Sequence, residues 1–206
     1  MTDNNGGSAT ETVTITITGG NDAPVVNAAV TVTATEDDAA FSVDMLAGAT
    51  DADMSDTLNV DATSVTVVSG DASGVTVNGN SLDVDPSAYN SLAVGETATI
   101  VYSYNIIDGN GGVVAQTATI TITGENDAPT ISGAITGGST EDDAAFSVDM
   151  LSGANDVDAS DTLSVDALTL ISGDASGVTV NGNSLDVDPS AYDYLAVGES
   201  AIIIYN

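Results

Sequence analysis

The sequence predicts an all-β fold of tandem antiparallel β-sandwich modules with about seven strands each. The first supporting observation is a repeat, because Gly19–Pro24 returns as Gly124–Pro129 after about 105 residues, a period that suits one domain. The second is composition, since Val, Ile and Thr dominate the patterned segments and favour strands over helices. The third is an alternation of apolar and polar residues, which is typical of half-buried strands.

The elements follow in order along the chain. Thr12–Thr18 alternates strictly, and Thr117–Thr123 repeats the pattern one period later. Asn78-Gly79 predicts a tight hairpin between two alternating segments, and Asn181-Gly182 copies it. Asp85-Pro86 predicts a single helical turn, with Asp as the cap and Pro at the first position. Within the first complete period we predict seven strands, which together favour an immunoglobulin-like sandwich: roughly 25–33, 39–45, 57–68, 74–78, 80–84, 97–107 and 113–123.

The repeat also predicts how the chain divides. Residues 1–20 are expected to be the last strand of a preceding or neighbouring module, residues 21–124 a complete repeat, and residues 125–206 a second repeat without its last strand. Two interpretations fit this arrangement. The chain is either a window from a longer array, or the opening strand of one molecule completes the closing module of the next, as in donor-strand addition.

The charge composition excludes several functions. The chain has 31 Asp and Glu but no Lys, Arg or His, so its formal net charge is −31. Nucleic acid and anionic membrane surfaces are excluded as partners, because binding them requires basic residues. No segment approaches the roughly 20 apolar residues of a membrane span, so no membrane insertion is expected. The absence of Cys removes disulfides and zinc–thiolate sites.

The strand order places three acidic elements at the module ends. The loop at Glu36 is expected beside the exit linker, whereas the loops 51–56 and 108–112 are expected beside the entry linker. Without a cation, repulsion of about 4 kcal/mol for charges roughly 4 Å apart would splay the linker. Ca²⁺ takes about six to eight oxygens from carboxylates, amides, carbonyls and water. The predicted Ca²⁺ ligands are Asn21, Asp22, Glu36, Asp37, Asp51, Asp53, Asp56, Asp108, Asn110, Asn126, Asp127, Glu141, Asp142, Asp156, Asp158 and Asp161.

These motifs resemble a known family. The Asn-Asp-Ala-Pro linkers, Thr-Glu-Asp-Asp at 35–38, Asp-Ala-Asp at 51–53 and the segment 102–112 resemble the VCBS or cadherin-like tandem repeats of giant bacterial RTX adhesins. The acidic elements are similar to those of eukaryotic cadherins, in which linkers and flanking loops coordinate Ca²⁺ between domains. The resemblance implies a secreted extender region at the bacterial cell surface, rigid only with Ca²⁺, that projects a distal ligand-binding domain.

Three alternative functions make different demands on the sequence. An enzyme is not expected, because neither His nor Lys is present as a general base and no Trp offers a sugar platform. Two observations argue against a ligand-binding sandwich: the end loops are nearly the same in both copies, and the sequence predicts no exposed aromatic cluster. The third alternative is an extracellular filament subunit, in which identical molecules join head to tail through the N-terminal strand. The partners are then neighbouring repeats of the same chain or identical subunits.

Overall fold

The computed structural model describes residues 1–206, and nearly all of its regular structure is β-strand. In the first repeat (residues 21–124) the strands are β1 Val25–Val26, β2 Val30–Thr35, β3 Phe41–Asp44, β4 Ala49–Thr50, β5 Asn59–Val60, β6 Thr66–Ser69, β7 Val75–Asn78, β8 Ser81–Val84, β9 Thr97–Ile107 and β10 Val113–Thr123. In the second repeat (residues 125–206) they are β11 Thr130–Ile131, β12 Phe146–Asp149, β13 Ala154–Asn155, β14 Leu170–Ser172, β15 Val178–Asn181, β16 Ser184–Val187 and β17 Ile204–Tyr205. Each repeat has one 3₁₀ turn, Pro86–Tyr89 and Pro189–Tyr192. No helix has the length and apolar character needed to cross a membrane.

The first repeat is a sandwich around one core. Its larger sheet has the order β2-β10-β9-β5, with β6 also paired to β9, and its smaller sheet has the order β3-β8-β7. A cluster of 14 buried residues joins the two, including Ile100 and Ile120 from the larger sheet and Leu82 from the smaller. All three are 0% exposed, and burying each side chain contributes about 1.5–3 kcal/mol. The hydroxyl of Tyr104 donates a 2.7 Å hydrogen bond across the core to the carbonyl of Met45.

The predicted fold class is confirmed, with one parallel pair among the antiparallel ones. β9 and β10 have the bounds that alternation predicted, and they pair from Ile107–Val113 to Thr97–Thr123. β2 lies parallel to β10, because it starts at the entry end of the sandwich, as β10 does. The 3₁₀ turn begins as predicted, with the Asp85 side chain accepting a hydrogen bond from the Ser87 amide.

Two predicted strands are each divided in the structure. The predicted strand 25–33 was wrong as one element, because the chain passes from β1, paired with β4, to β2, paired with β10. The side chain of Gln116 donates to the Ala28 carbonyl at 2.8 Å and satisfies the backbone at this break. The predicted strand 57–68 is interrupted between β5 and β6 by a turn in which Asp61 Oδ1 accepts from the amide of Thr63 at 3.0 Å.

The second repeat reproduces only part of this architecture. The sheet β12-β16-β15 corresponds to β3-β8-β7, whereas the larger sheet is represented by the short pair β14-β17 alone. Residues 135–140, the counterpart of β2, form no strand and are exposed. In the first repeat β2 pairs only with β10, and residues 125–206 contain no counterpart of β10.

The strand expected at Thr12–Thr18 is not formed. Residues 9–24 have no regular secondary structure, and nearly all of them are exposed. A strand needs a partner for its backbone hydrogen bonds, and no segment of the same chain pairs with this one. The only regular feature before it is a bridge between Thr2 and Ser8.

Candidate metal centre

Three carboxylates meet at the entry end of the first repeat. Asp51 follows β4, Asp56 lies at the end of the same loop, and Asp108 directly follows β9. One carboxylate oxygen from each lies within 4.8 Å of the other two. The loops converge because β4 and β9 both end at this side of the sandwich. This spacing suits a single divalent cation between the three groups.

Asp108 accepts hydrogen bonds from more donors than either of the other two carboxylates. It is 3% exposed, and its Oδ1 accepts from the amides of Asn110 at 2.8 Å and Gly112 at 2.9 Å. Its Oδ2 accepts from the side chain of Asn21 at 3.0 Å. The hydrogen bond from Asn21, followed by those from the loop amides, lowers the pKa of Asp108, so the carboxylate stays ionised.

The entry linker is fastened to the same loops. The amide of Asp22 donates to Asp53 Oδ2 at 2.7 Å, and Asp53 in turn donates its amide to Asp51 Oδ1 at 2.9 Å. The side chain of Asn110 donates to Asp56 Oδ1 at 2.8 Å. The predicted entry residues are therefore brought together in the structure, and we call this set the entry cluster: Asn21, Asp22, Asp51, Asp53, Asp56, Asp108 and Asn110.

A second acidic group lies where the two repeats meet. Glu36 is 2% exposed, and its Oε1 accepts a short hydrogen bond from the amide of Glu125 in the linker. Asp158 of the second repeat is also 2% exposed, and its Oδ2 accepts from the amide of Asp127 at 3.0 Å. This last contact repeats the Asp22–Asp53 contact of the entry cluster. The linker is therefore hydrogen-bonded to Glu36 of the first repeat and to Asp158 of the second.

The carboxylates at this meeting point repel one another. Burial raises the pKa of Asp127, and the surrounding negative charges raise it further, in decreasing order Asp37, Asp158, Glu36 and Asp156. No Lys, Arg or His exists in the chain to offset these charges. We call this set the junction cluster: Glu36, Asp37, Asp127, Asp156 and Asp158.

Buried oxygens without hydrogen bonds mark both clusters. Six buried side-chain oxygens accept no hydrogen bond, and five of them are carboxylate oxygens of predicted ligands: Glu36 Oε2, Asp51 Oδ2, Asp56 Oδ2, Asp127 Oδ2 and Asp158 Oδ1. A buried polar atom without a partner is costly, and a charged one more so. Hard oxygen ligands gathered in this way are those that Ca²⁺ prefers. The residues present therefore fit a bound Ca²⁺ at each cluster.

Four predicted ligands are less well placed. Asn126 is exposed and donates its side chain to the Asp127 carbonyl at 2.8 Å, and Asp161 is exposed at the end of its loop. Glu141 and Asp142 lie at the exit end of the second repeat, and their side chains accept no hydrogen bonds. Their role as ligands stays a prediction.

Sequence reasoning missed a direct contact between the repeats. The amide of Ala159, beside Asp158, donates to the carbonyl of Ser91 at 3.1 Å. The neighbouring Asn90 has the sixth buried oxygen without a partner, Oδ1. Backbone contacts of this kind leave no signature in the sequence, although Asn90 directly follows the 3₁₀ turn Pro86–Tyr89.

With this geometry established, comparison with known proteins identifies the family. Residues 20–123, about half of the chain, match the model of the cadherin-like domain. The chain belongs to the cadherin-like domain family. Cadherin domains generally bind Ca²⁺, and the Asp51, Asp56 and Asp108 carboxylates of this one could hold an ion.

Two solved cadherin structures match most of this chain at low identity. Extracellular domains 3–6 of protocadherin gamma B2 match at 12% identity with a TM-score of 0.36, over 89% of this chain and 46% of that one. The human desmocollin-1 ectodomain matches at 15% identity with a TM-score of 0.34, over 80% of this chain and 33% of that one. The chain therefore spans less than half the length of these two structures. No curated protein sequence matches it. The narrower resemblance to the repeats of RTX adhesins stays a prediction.

Proposed function

We propose that this cadherin-like chain is a Ca²⁺-stiffened extender repeat of a secreted adhesin at the bacterial cell surface, which projects a distal ligand-binding domain. The observation that carries the proposal is the set of five buried carboxylate oxygens without hydrogen bonds, all at the ends of the first repeat or at its junction with the second. A cadherin-like family membership suggests an extracellular adhesion-type repeat, and such repeats have no catalytic role.

The ion would act on the joint between repeats. At the junction cluster, Glu36 belongs to the first repeat, Asp127 to the linker and Asp158 to the second repeat. An ion bound by all three would fix the angle between the repeats, because each ligand is attached to a different rigid element. Without the ion, the charges that raise the pKa of Asp127 would push these elements apart.

The division of the chain follows from this function. We propose residues 21–124 as a complete Ca²⁺-binding repeat and residues 125–206 as a second repeat without its last strand. Residues 1–20 would be the last strand of a preceding or neighbouring module, with the entry cluster as the upper half of another junction. Asn126, Glu141, Asp142 and Asp161 are kept as outer ligands of these junctions.

Ca²⁺ titration of matched variants tests the proposal. Extracellular Ca²⁺ modules bind with Kd values of about 10⁻⁴–10⁻³ M, so 10 mM Ca²⁺ should stabilise the chain by about 1.4–2.7 kcal/mol for each site. Small-angle X-ray scattering should show a narrower range of inter-repeat angles with Ca²⁺ than with EDTA. Asp127→Asn and Asp158→Asn should each remove most of the difference in the range of inter-repeat angles between Ca²⁺ and EDTA.

The control is Asp166→Asn, which changes the same charge at an exposed second-repeat position whose side chain makes no hydrogen bond. It should leave the Ca²⁺ response intact. Scattering curves and melting temperatures that are the same in Ca²⁺ and EDTA for the unmodified chain would overturn the proposal.

A second candidate function is a self-assembling extracellular filament subunit. It is favoured by the exposed apolar side chains of Val13, Ile15 and Ile17, which lie on one face of an unpaired segment. Joined copies would continue the same row of repeats that the extender function requires.

A further inference from the structure

Asn-Gly pairs occur at four places in the chain, and the structure gives them different surroundings. In such a pair the backbone nitrogen of the glycine can attack the side-chain carbonyl carbon of the asparagine, because glycine has no Cβ to hinder the approach. The pairs begin at Asn5, Asn78, Asn110 and Asn181. Asn110 alone among these four belongs to a predicted metal site, the entry cluster.

The loop that carries Asn110 has room to rearrange. Residues 109–111 are exposed and connect β9 to β10. Gly109 and Gly111 have positive φ angles of 86° and 110°, and at neither would an added Cβ meet a heavy atom within 4 Å beyond its chain neighbours. The backbone on both sides of Asn110 is therefore permissive and unobstructed, as a bond between Gly111 N and Asn110 Cγ requires.

The hairpins that carry Asn78 and Asn181 are held more firmly. Asn78 is the last residue of β7, and the turn after it is bound to the rest of the sandwich through Asn80. The Asn80 carbonyl accepts from the amide of Met45, and Asn80 Oδ1 accepts from the amide of Val60, both at 2.9 Å. The hairpin of the second repeat has the corresponding two bonds. Closing a ring at either asparagine would rotate the extended backbone and open these bonds.

The side chain of Asn110 already faces a carboxylate. Its Nδ2 donates to Asp56 Oδ1 at 2.8 Å, and Asp56 is one of the three carboxylates whose oxygens lie within 4.8 Å of one another. The other oxygen of Asp56 is buried without a partner. Asn78 has a matched arrangement outside both clusters, because its Nδ2 donates to Asp83 Oδ2 at the same distance of 2.8 Å. Conversion of Asn110 to an acid would therefore bring a new charge into the entry cluster.

We propose that Asn110-Gly111 is a site of spontaneous deamidation, whose aspartate product adds a carboxylate to the entry cluster beside Asp56. The Gly111 nitrogen forms a bond to Asn110 Cγ and loses its proton to water, while the Cγ–Nδ2 bond breaks and the side-chain nitrogen leaves as ammonia. Water then opens the imide ring, at one carbonyl to give aspartate and at the other to give isoaspartate. The net reaction consumes water and releases ammonia.

The aspartate product would change how the entry cluster responds to Ca²⁺, a consequence that rests on the proposed function. Without the ion, a hydrogen-bond donor to Asp56 is replaced by a charge that repels it. With the ion, a charged ligand replaces a neutral amide, and Ca²⁺ affinity depends on the number of charged ligands. The affinity of the entry cluster would thus rise with the age of the molecule, and bound Ca²⁺ would slow the reaction by holding Asn110 in place.

Ageing of the chain in EDTA tests the modification site. Peptic peptides suit the mass spectrometry, because the chain has no Lys or Arg for trypsin and acid stops the reaction. Deamidation at Asn110 should be at least about fivefold faster than at Asn78 or Asn181, since each hydrogen bond that must open costs about that factor. Asn5, whose side chain makes no hydrogen bond, shows that the conditions allow the reaction. A rate at Asn110 no higher than in the hairpins would overturn the proposal.

Ageing in 10 mM Ca²⁺ separates this proposal from the proposed function. With Kd values of about 10⁻⁴–10⁻³ M, deamidation at Asn110 should slow about 10- to 100-fold, because only the unoccupied fraction reacts. The rates at Asn78 and Asn181 should stay the same. If Asn110 reacts equally fast in Ca²⁺ and EDTA but still faster than the hairpins, Ca²⁺ binding at the entry cluster is refuted and the modification site is supported.

Asn110→Asp carries the aspartate product from the start. Isothermal titration calorimetry should show Ca²⁺ binding about 10-fold tighter than in the unmodified chain, because a charged ligand replaces a neutral one. Asn78→Asp is the matched control, since it also replaces a donor to a carboxylate but lies outside both clusters, and it should leave the affinity unchanged. An Asn110→Asp affinity equal to or weaker than that of the unmodified chain would refute the effect of deamidation on Ca²⁺ binding.

Discussion

Glu36→Gln should change the stability of the chain in opposite directions with and without Ca²⁺. The Glu36 side chain is 2% exposed, and one oxygen accepts from the Glu125 amide while the other has no partner. Gln keeps the size and the first hydrogen bond, and its amide group can donate where the second oxygen had no partner. In EDTA, we therefore expect a gain on the order of 1 kcal/mol, the net contribution of one hydrogen bond.

With Ca²⁺, the same substitution removes a charged ligand. A site with a Kd of about 10⁻⁴ M contributes about 2.7 kcal/mol at 10 mM Ca²⁺. Loss of an outer-shell partner commonly weakens metal binding about 10- to 100-fold, and loss of a direct ligand costs at least that much. A 100-fold weaker site contributes only about 0.4 kcal/mol at the same concentration. The net change in Ca²⁺ is thus a loss of about 1.3 kcal/mol.

Thermal unfolding followed by circular dichroism measures both effects. For a chain of this size, 1 kcal/mol corresponds to about 2–4 °C in melting temperature. Glu96→Gln is the control, because Glu96 Oε2 accepts from the Ala93 amide at 3.1 Å and no cluster residue makes a hydrogen bond to its side chain. It should shift the melting temperature equally in Ca²⁺ and EDTA. If Glu36→Gln behaves in the same way as this control, Glu36 only anchors the linker and does not bind the ion.

Two further predictions concern the core and the pH dependence. Tyr104→Phe should destabilise the chain by about 1–3 kcal/mol, because it leaves the buried Met45 carbonyl without its donor. Burial raises the pKa of Tyr104 to about 12, so stability that is present below pH 10 should be lost between pH 10 and 12. The variant should lose less stability in an alkaline titration followed by circular dichroism. In EDTA, the raised pKa of Asp127 destabilises the folded chain at neutral pH, and stability should rise as the pH falls through that pKa. The lowered pKa of Asp108 has the opposite effect, because the stability that this carboxylate contributes is lost only as the pH falls below the ordinary value of 3.8. Denaturant titrations in EDTA should therefore show a maximum of stability at acid pH.

The long strands could be predicted because their sequence allows only one face of each strand to be buried. Burial alternates along all 11 residues of β9 and of β10, and a shift of one residue would turn the buried side chains outward. The breaks at 27–29 and 61–65 could not be predicted, because local propensity continues across them. They are decided by tertiary partners, such as the Gln116 side chain that bonds to the Ala28 carbonyl.

The candidate site was predictable in outline for a related reason. The direction of each strand fixes the end at which its loop lies, so Glu36 and Asp158 could be assigned to one junction from strand order alone. Which oxygens are left without partners could not be predicted, since it depends on how the loop amides are turned. Asp108 and Asp56 lie in the same cluster, yet only Asp56 keeps a buried oxygen without a hydrogen bond.

If Ca²⁺ binds as proposed, the distribution of these oxygens places its effect at the joints between repeats and not within the sandwich. No side-chain cation exists in the chain, so every buried carboxylate depends on backbone amides, side-chain amides or a bound ion. Within the first repeat, the apolar core is closed and Asp108 receives its hydrogen bonds from neighbouring loops. The oxygens without partners lie instead where one repeat meets, or would meet, the next. Removing Ca²⁺ should therefore leave each repeat folded and widen the range of angles between the repeats. The stiffness of a row of such repeats would then depend on the surrounding Ca²⁺ concentration.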